Sequence, residues 1–365
     1  MAGRIVVFGA TGYTGRLTVE ALIERGERPV LAGRDAARLR GLASELGSEL
    51  ETAVADVARP ASIAELVGPA DVLVATVGPF ARFGDAAAEA AIAAGAHYLD
   101  STGEPAFIRR VFERFGSRAA EARIAMVTAF GYDWVPGNLA GALALREARG
   151  AATRVDLGYF TTGGGLGGMS GGTRASLAGA LLEPSFVWRD GIRTERAAVR
   201  VRSFAAAGRR REAISVGSSE HFTLPRLESG LREVNAYLGW FGGASRGMQV
   251  FSAANAAVMQ VPGVRAGAEA LIGRLVRGST GGPDAAAREG TGSAVVAVAY
   301  ADGAELASVE VRGVNGYEFT GRILAWGATA AAGGGLRGSG ALGPAEAFGL
   351  DALEAGCREA GIERV

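Results

Sequence analysis

The chain has 365 residues, 48% of them apolar and 21% charged, with 38 basic and 38 acidic side chains. That is ordinary for a globular chain of two domains, and a net charge of zero points to neither nucleic acid nor an acidic membrane surface. One cysteine (Cys357), two histidines (His97 and His221) and no lysine leave no internal disulfide, no spacing for a zinc site, and no lysine Schiff-base or Tyr-x-x-x-Lys proton chemistry. The first apolar strand begins too early for a signal peptide. The most apolar later run, 253–276, is broken by Arg265, Glu269 and Arg274. A cytoplasmic protein without transmembrane segment is expected.

The opening unit reads as strand, turn, helix, strand. Ile5 to Phe8 is an apolar run, followed at once by Gly9-Ala10-Thr11-Gly12-Tyr13-Thr14-Gly15 and an amphipathic helix over 17–25. Gly9 permits the turn, Gly12 lets backbone approach a pyrophosphate, and Gly15 lets helix and strand pack closely. The helix N-terminus then aims N–H groups at the phosphates. With Thr11, Tyr13 and Thr14 in the same turn, this is a dinucleotide cradle, spaced G-x-x-G-x-x-G.

The second strand, 29–33, ends in Arg34, where NAD-binding chains carry an acid for the ribose 2′-hydroxyl. An arginine suits a 2′-phosphate, and Arg38 is spaced to share it, so NADP is the expected cofactor. Asp35 reads as the N-cap of a helix over 36–46.

Further strands are expected at 52–56, 71–76, 97–100 and 124–127, with helices at 62–67, 85–94 and 107–121. The alternation predicts an α/β, doubly wound parallel sheet. Asp56 and Val57, at the end of the third strand, are placed near the adenine, although Asp56 reads equally as a loop acid. Gly78, Pro79 and Phe80 follow the fourth strand, where a glycine suits close passage of a cofactor.

Beyond Phe130 the pattern changes. A helix is expected over 139–147 and strands at 154–162, 185–190, 197–203, 213–216, 293–300 and 306–312. Helices are expected at 170–182, 226–238 and 264–277, with loops at 163–168 and 278–292. This is an α+β domain, mostly antiparallel. The organisation expected is a Rossmann domain over 1–130, a substrate and oligomerisation domain over 131–315, and C-terminal helices over 316–365 returning to the first domain. Within that last part, 333–340 reads as a linker and 344–361 as one helix.

Five stretches together resemble a known family: Gly9 to Gly15, Ala32-Gly33-Arg34, Val77 to Phe80, Tyr98 to Glu104, and Gly131-Tyr132-Asp133-Trp134-Val135-Pro136. The chain resembles the saccharopine-dehydrogenase-like oxidoreductases, in particular the branch of trans-acting enoyl reductases. The resemblance covers about the first 145 residues well. Beyond them it rests on Ser170 to Thr173 and the order of elements. It implies a Rossmann domain, an α+β substrate domain and NADP-linked reduction, but not saccharopine as the substrate.

A nicotinamide reductase must stabilise developing negative charge and deliver a proton. By the strand-end rule the site lies at the carboxyl ends of the sheet, which selects Gly78 to Phe80, Asp100 to Glu104, Tyr132 and Asp133. Tyr132 or Asp133 is the leading proton donor, just past the last strand where two domains should meet. Against this, Asp133 also reads as a loop-orienting acid and Tyr132 as hinge packing. Glu104 reads as a helix cap, His221 as structural, and Arg174 as an anion ligand or a solvated cation. The expected partners are a small-molecule or acyl substrate and a second copy of the chain in a homodimer. The expected reaction is hydride transfer to a polarised C=C bond. A C=N (imine) reductase and a non-catalytic NADP sensor are the alternatives.

Overall fold

The computed structural model describes residues 3–47, 49–163, 184–239, 245–247, 249, 252 and 281–365. The expected helices over 170–182 and 264–277, the glycine run 164–168 and Arg174 lie outside them. The described residues divide into two compact units. The first comprises 1–103, 107–135 and 316–361; the second comprises 104–106, 136–315 and 362–365. Gly131 to Val135 thus belong with the nucleotide-fold unit rather than with the second domain.

In the first unit the strands β1 (Ile5–Phe8), β2 (Val30–Gly33), β3 (Thr52–Val54), β4 (Val72–Ala75), β5 (His97–Asp100) and β6 (Ala125–Val127) pair in parallel, in the order β6-β5-β4-β1-β2-β3. Strand order reverses between β1 and β4, which is the switch point of a doubly wound sheet. A seventh strand, Gly340–Ala341, extends the sheet beyond β6. The expected linker at 333–340 therefore ends in a strand; its two residues are too few to show a period.

Side chains alternate between the two faces. Val6, Phe8, Leu73, Ala75, Tyr98 and Met126 pack on one side with Phe80, Phe107, Val111 and Phe115. These last four come from α4 (Phe80–Ala94), α5 (Pro105–Arg110) and the π turn Val111–Phe115 that continues it. The opposite face is covered by α1 (Tyr13–Glu24) and, over β4 and β5, by the helix Gly316–Ala332, here called α10. Gly321 of α10 lies so near α1 that a Cβ there would stand 3.0 Å from Leu17 backbone. At Gly327 a Cβ would meet Phe130 and Leu99. Small residues let this distant segment seat on the sheet.

The second unit is built on a mixed nine-stranded sheet. Its main path is Val201–Ala206, Arg209–Val216, Glu233–Leu238, Arg154–Gly163, Thr291–Ala301, Ala304–Gly313 and Ile362–Arg364. Its pairings are antiparallel except that between Glu233–Leu238 and Arg154–Gly163. The helix expected over 226–238 is corrected: a helix covers Glu220–Leu227, and 233–238 is a central strand. Asn235 is buried there and donates to the buried Asp156 of the neighbouring strand at 2.7 Å. A polar residue of this stretch is thus a buried core group, tied by its amide N–H to the neighbouring strand. The loop expected over 278–292 contains, in its described part, the helix Ala285–Glu289. The closing helix is two, Pro344–Phe348 and Leu350–Glu359, broken at Gly349, whose φ is +83°.

Candidate functional site

The glycine turn has the geometry of a backbone cradle. Gly9 has φ +96°, and a Cβ on it would lie 2.6 Å from Thr76 Oγ1. On Gly15 a Cβ would lie 2.2 Å from the Gly9 carbonyl oxygen, and on Gly12 3.2 Å from the same atom. The Gly12 N–H donates to that carbonyl at 2.9 Å, which closes the turn. Gly12 caps α1 without a side chain, and no acid stands in the first turn. The helical ladder opens with the Arg16 N–H donating to the Gly12 carbonyl at 2.9 Å, so the N–H groups of Thr14 and Gly15 precede it, the position at which helices bind anions.

Arg34 follows β2 directly. Arg34 and Arg38 are both exposed, and neither guanidinium has a partner among the described residues. Asp35 is the expected cap: its Oδ1 accepts from the Ala37 and Arg38 N–H groups at 3.0 Å. The side chain that an NAD reader would use is thus committed to the helix, and two cations remain for a phosphate. Thr11, Tyr13 and Thr14 line the turn half-exposed. Asp56 folds its carboxylate back on the Ala58 N–H at 2.9 Å and donates its own N–H to Ser62 Oγ at 3.0 Å. Val57 leans on the edge of the core. Gly78–Pro79 is a cis peptide that leads into α4. The Phe80 ring packs on Phe107 with centroids 5.6 Å apart, so what Phe80 offers a cofactor is backbone.

The ends of β5 and β6 are tied together by Asp100, which is fully buried. Its Oδ1 accepts from Thr102 and Ala129 N–H groups, both at 2.9 Å, and its Oδ2 accepts from Thr128 Oγ1 at 2.7 Å. Burial pushes its pKa up to about 6 although these bonds pull the other way. Asp100 is therefore the knot that shapes the loop running on to Tyr132 and Asp133.

Those two candidates differ sharply. The Tyr132 ring is 7% exposed and lies on Gly316, where a Cβ would come within 2.9 Å of it. Its N–H donates to Thr320 Oγ1 at 3.0 Å. Burial, and then the charge of Asp133, hold the hydroxyl well above the usual phenol range. Asp133 keeps partial exposure, but its Oδ1 is enclosed without a hydrogen-bond partner among the described residues. Its Oδ2 lies against Gly103. Burial pushes its pKa up to about 7, the range in which a carboxylic acid carries a transferable proton at neutral pH.

Other candidates have structural duties. Glu104 is buried just before α5. In the second unit, His221 sits in the helix 220–227, its Nδ1 3.1 Å from Ser218 and its ring 5.5 Å from that of Phe186. Burial pushes its pKa down to about 4, so it is neutral at physiological pH. Among the described residues no group of three or more His, Cys, Asp or Glu is arranged to hold a metal, and no helix is long and apolar enough to cross a membrane. Thr76, Thr320 and Gly316 escaped the sequence reading; they act through position, and a residue's type carries no signal of that.

Residues 5–128 match the family model described as the saccharopine dehydrogenase NADP binding domain. The first 128 residues thus hold a saccharopine dehydrogenase NADP-binding domain. NADP is its cofactor, in keeping with the glycine cradle and the two unpaired arginines.

A Mycobacterium tuberculosis H37Rv protein, provisionally called a trans-acting enoyl reductase, is 37% identical over 180 residues, which is 47% of this chain and 43% of that one. The trans-acting enoyl reductase of Mycobacterium ulcerans is 39% identical over 140 residues, 37% of this chain and 34% of its own. The matches thus span less than half the length of these curated relatives. Apo saccharopine dehydrogenase (L-Glu forming) from Saccharomyces cerevisiae is similar in fold over the whole of both chains, with a TM-score of 0.62 at 13% identity. This places a saccharopine dehydrogenase type of fold around the NADP-binding domain.

Proposed function

We propose that the chain is an NADPH-dependent reductase acting on the polarised C=C bond of an enoyl compound. The observation that carries this is Asp133: a carboxyl with a pKa pushed up to about 7, lying against Gly103 just past the end of β5, in a chain 39% identical over 140 residues to a trans-acting enoyl reductase. NADPH, when bound, would supply a hydride for the electron-poor β-carbon. The chain contributes three things. Arg34, Arg38 and the first turn of α1 would hold the phosphates. Backbone at Gly78 and Pro79 would face the nicotinamide half. Asp133 gives its proton to the α-carbon of the enolate and is recharged from solvent. Tyr132 packs beside it and orients the loop. The two candidates thus divide, with Asp133 as donor and Tyr132 as support.

The test is consumption of NADPH against a panel of enoyl thioesters and cyclic imines. Turnover on enoyl thioesters is expected. Turnover on imines alone makes the chain a C=N reductase with the same acid. Tight NADPH binding with no turnover on either makes it a sensor.

A further inference from the structure

We propose that Tyr317 is a cofactor-binding residue, forming with Tyr13 an aromatic wall beside the nicotinamide half of NADP. The argument starts from helix direction. Tyr13 meets Tyr317 and Leu17 meets Gly321, so α1 and α10 run parallel and begin at the same end of the sheet. That end is where β1 passes into the glycine turn, the end at which a dinucleotide lies.

The strand order then fixes which half of the dinucleotide is near. Arg34, at the end of β2, marks the adenosine 2′-phosphate on one side of β1. The other side, β4 and β5, belongs to the nicotinamide half, and α10 covers those strands. The rings of Tyr13 and Tyr317 meet edge to face, centroids 5.2 Å apart at 87°, and both are half-exposed. One lies in the cradle itself; the other comes from the far end of the chain. The start of α10 also sets the reacting end. Gly316 carries the Tyr132 ring, and Thr320 Oγ1 accepts the Tyr132 N–H while donating to the Gly316 carbonyl at 2.7 Å. The residue between them, Tyr317, therefore stands beside both the pyrophosphate turn and the loop that carries Asp133. All of these groups lie in the first unit. A tyrosine offers a rigid apolar face to a nicotinamide riboside at small entropic cost.

The experiment separates the two halves of the cofactor by calorimetric titration with NADPH and with adenosine 2′,5′-bisphosphate. Tyr317→Leu is expected to weaken NADPH about tenfold and to leave the bisphosphate unchanged, with Tyr317→Phe restoring NADPH binding. Arg34→Asp is expected to weaken both ligands. Unchanged NADPH affinity in Tyr317→Leu overturns the proposal. So does an equal loss for both ligands, which would make Tyr317 a packing residue only. If the leucine variant folds poorly, Tyr317→His is titrated in its place with the same outcomes. The inference rests on the NADP site and not on the substrate: a wild type that binds NADPH yet reduces no enoyl compound sinks the proposed reaction and leaves Tyr317 untouched.

Discussion

Asp133 and Gly103 are in contact: a Cβ built on Gly103 would stand 2.8 Å from Asp133 Oδ2. Only a residue without a side chain leaves the carboxyl where it is. Gly103→Ala should therefore displace the acid and lower turnover at least tenfold while NADPH affinity stays near wild type. Asp133→Asn should lower turnover by about a hundred- to ten-thousandfold. Steady-state kinetics beside cofactor titration checks both. An Asp133→Asn variant of full activity removes Asp133 from the chemistry.

The proton on Asp133 sets a pH dependence. Its pKa in the folded chain is about 7, against 3.8 for the ordinary carboxyl. Turnover should fall as pH rises through about 7, and in Asp133→Asn that limb should be missing. Stability carries the same sign. Between these two values the native state holds a proton that the unfolded chain has released, so this residue's contribution is full below about 3.8 and is lost as pH rises through 7. Denaturant unfolding of wild type and Asp133→Asn across pH 4 to 8 reads the difference; parallel curves would contradict the assignment.

On the proposed reading, Arg34 sets the choice between the two nicotinamide cofactors. NADPH should bind more tightly than NADH, and Arg34→Asp should erase or invert that preference. A charge-assisted bond is worth about 1.5–3 kcal/mol, or roughly ten- to a hundredfold in affinity. Equal dissociation constants for both cofactors in the wild type would count against the arginine.

Gly15 faces the Gly9 carbonyl, where a Cβ would come within 2.2 Å of the oxygen. Backbone on both sides cannot give way, so Gly15→Ala should cost on the order of 1–3 kcal/mol of stability and weaken NADPH binding. Thermal unfolding with and without NADPH measures both. Unchanged values would mean that the turn is looser than its geometry.

The nucleotide turn was legible because its signals are local: glycines at fixed offsets, a strand before, a helix after, and Arg34 at the next strand end. Asp35 was equally legible, since a cap acts within three residues. What escaped depends on distant partners. Asn235 looks like a helix's polar face until Asp156 is seen beside it. The strand 340–341 exists only because Ala125 and Met126 present an edge to it. Asp133 and Tyr132 stand side by side in the sequence, but the burial that sets their acidities apart is not printed there. Tyr317 gave no signal, because its partner Tyr13 lies at the opposite end of the chain.

The seat of α10 on β4 and β5 has a consequence for how the molecule is made. During synthesis the strands of the first sheet emerge early, yet the helix that covers β4 and β5 is translated only after residues 136–315 of the second unit. Until residue 332 has left the ribosome, Leu99 and Phe130 lack the cover that α10 gives them. The earliest-made part of the chain is thus among the last to be finished, and a chain halted before Gly316 would emerge with a sticky, half-built sheet.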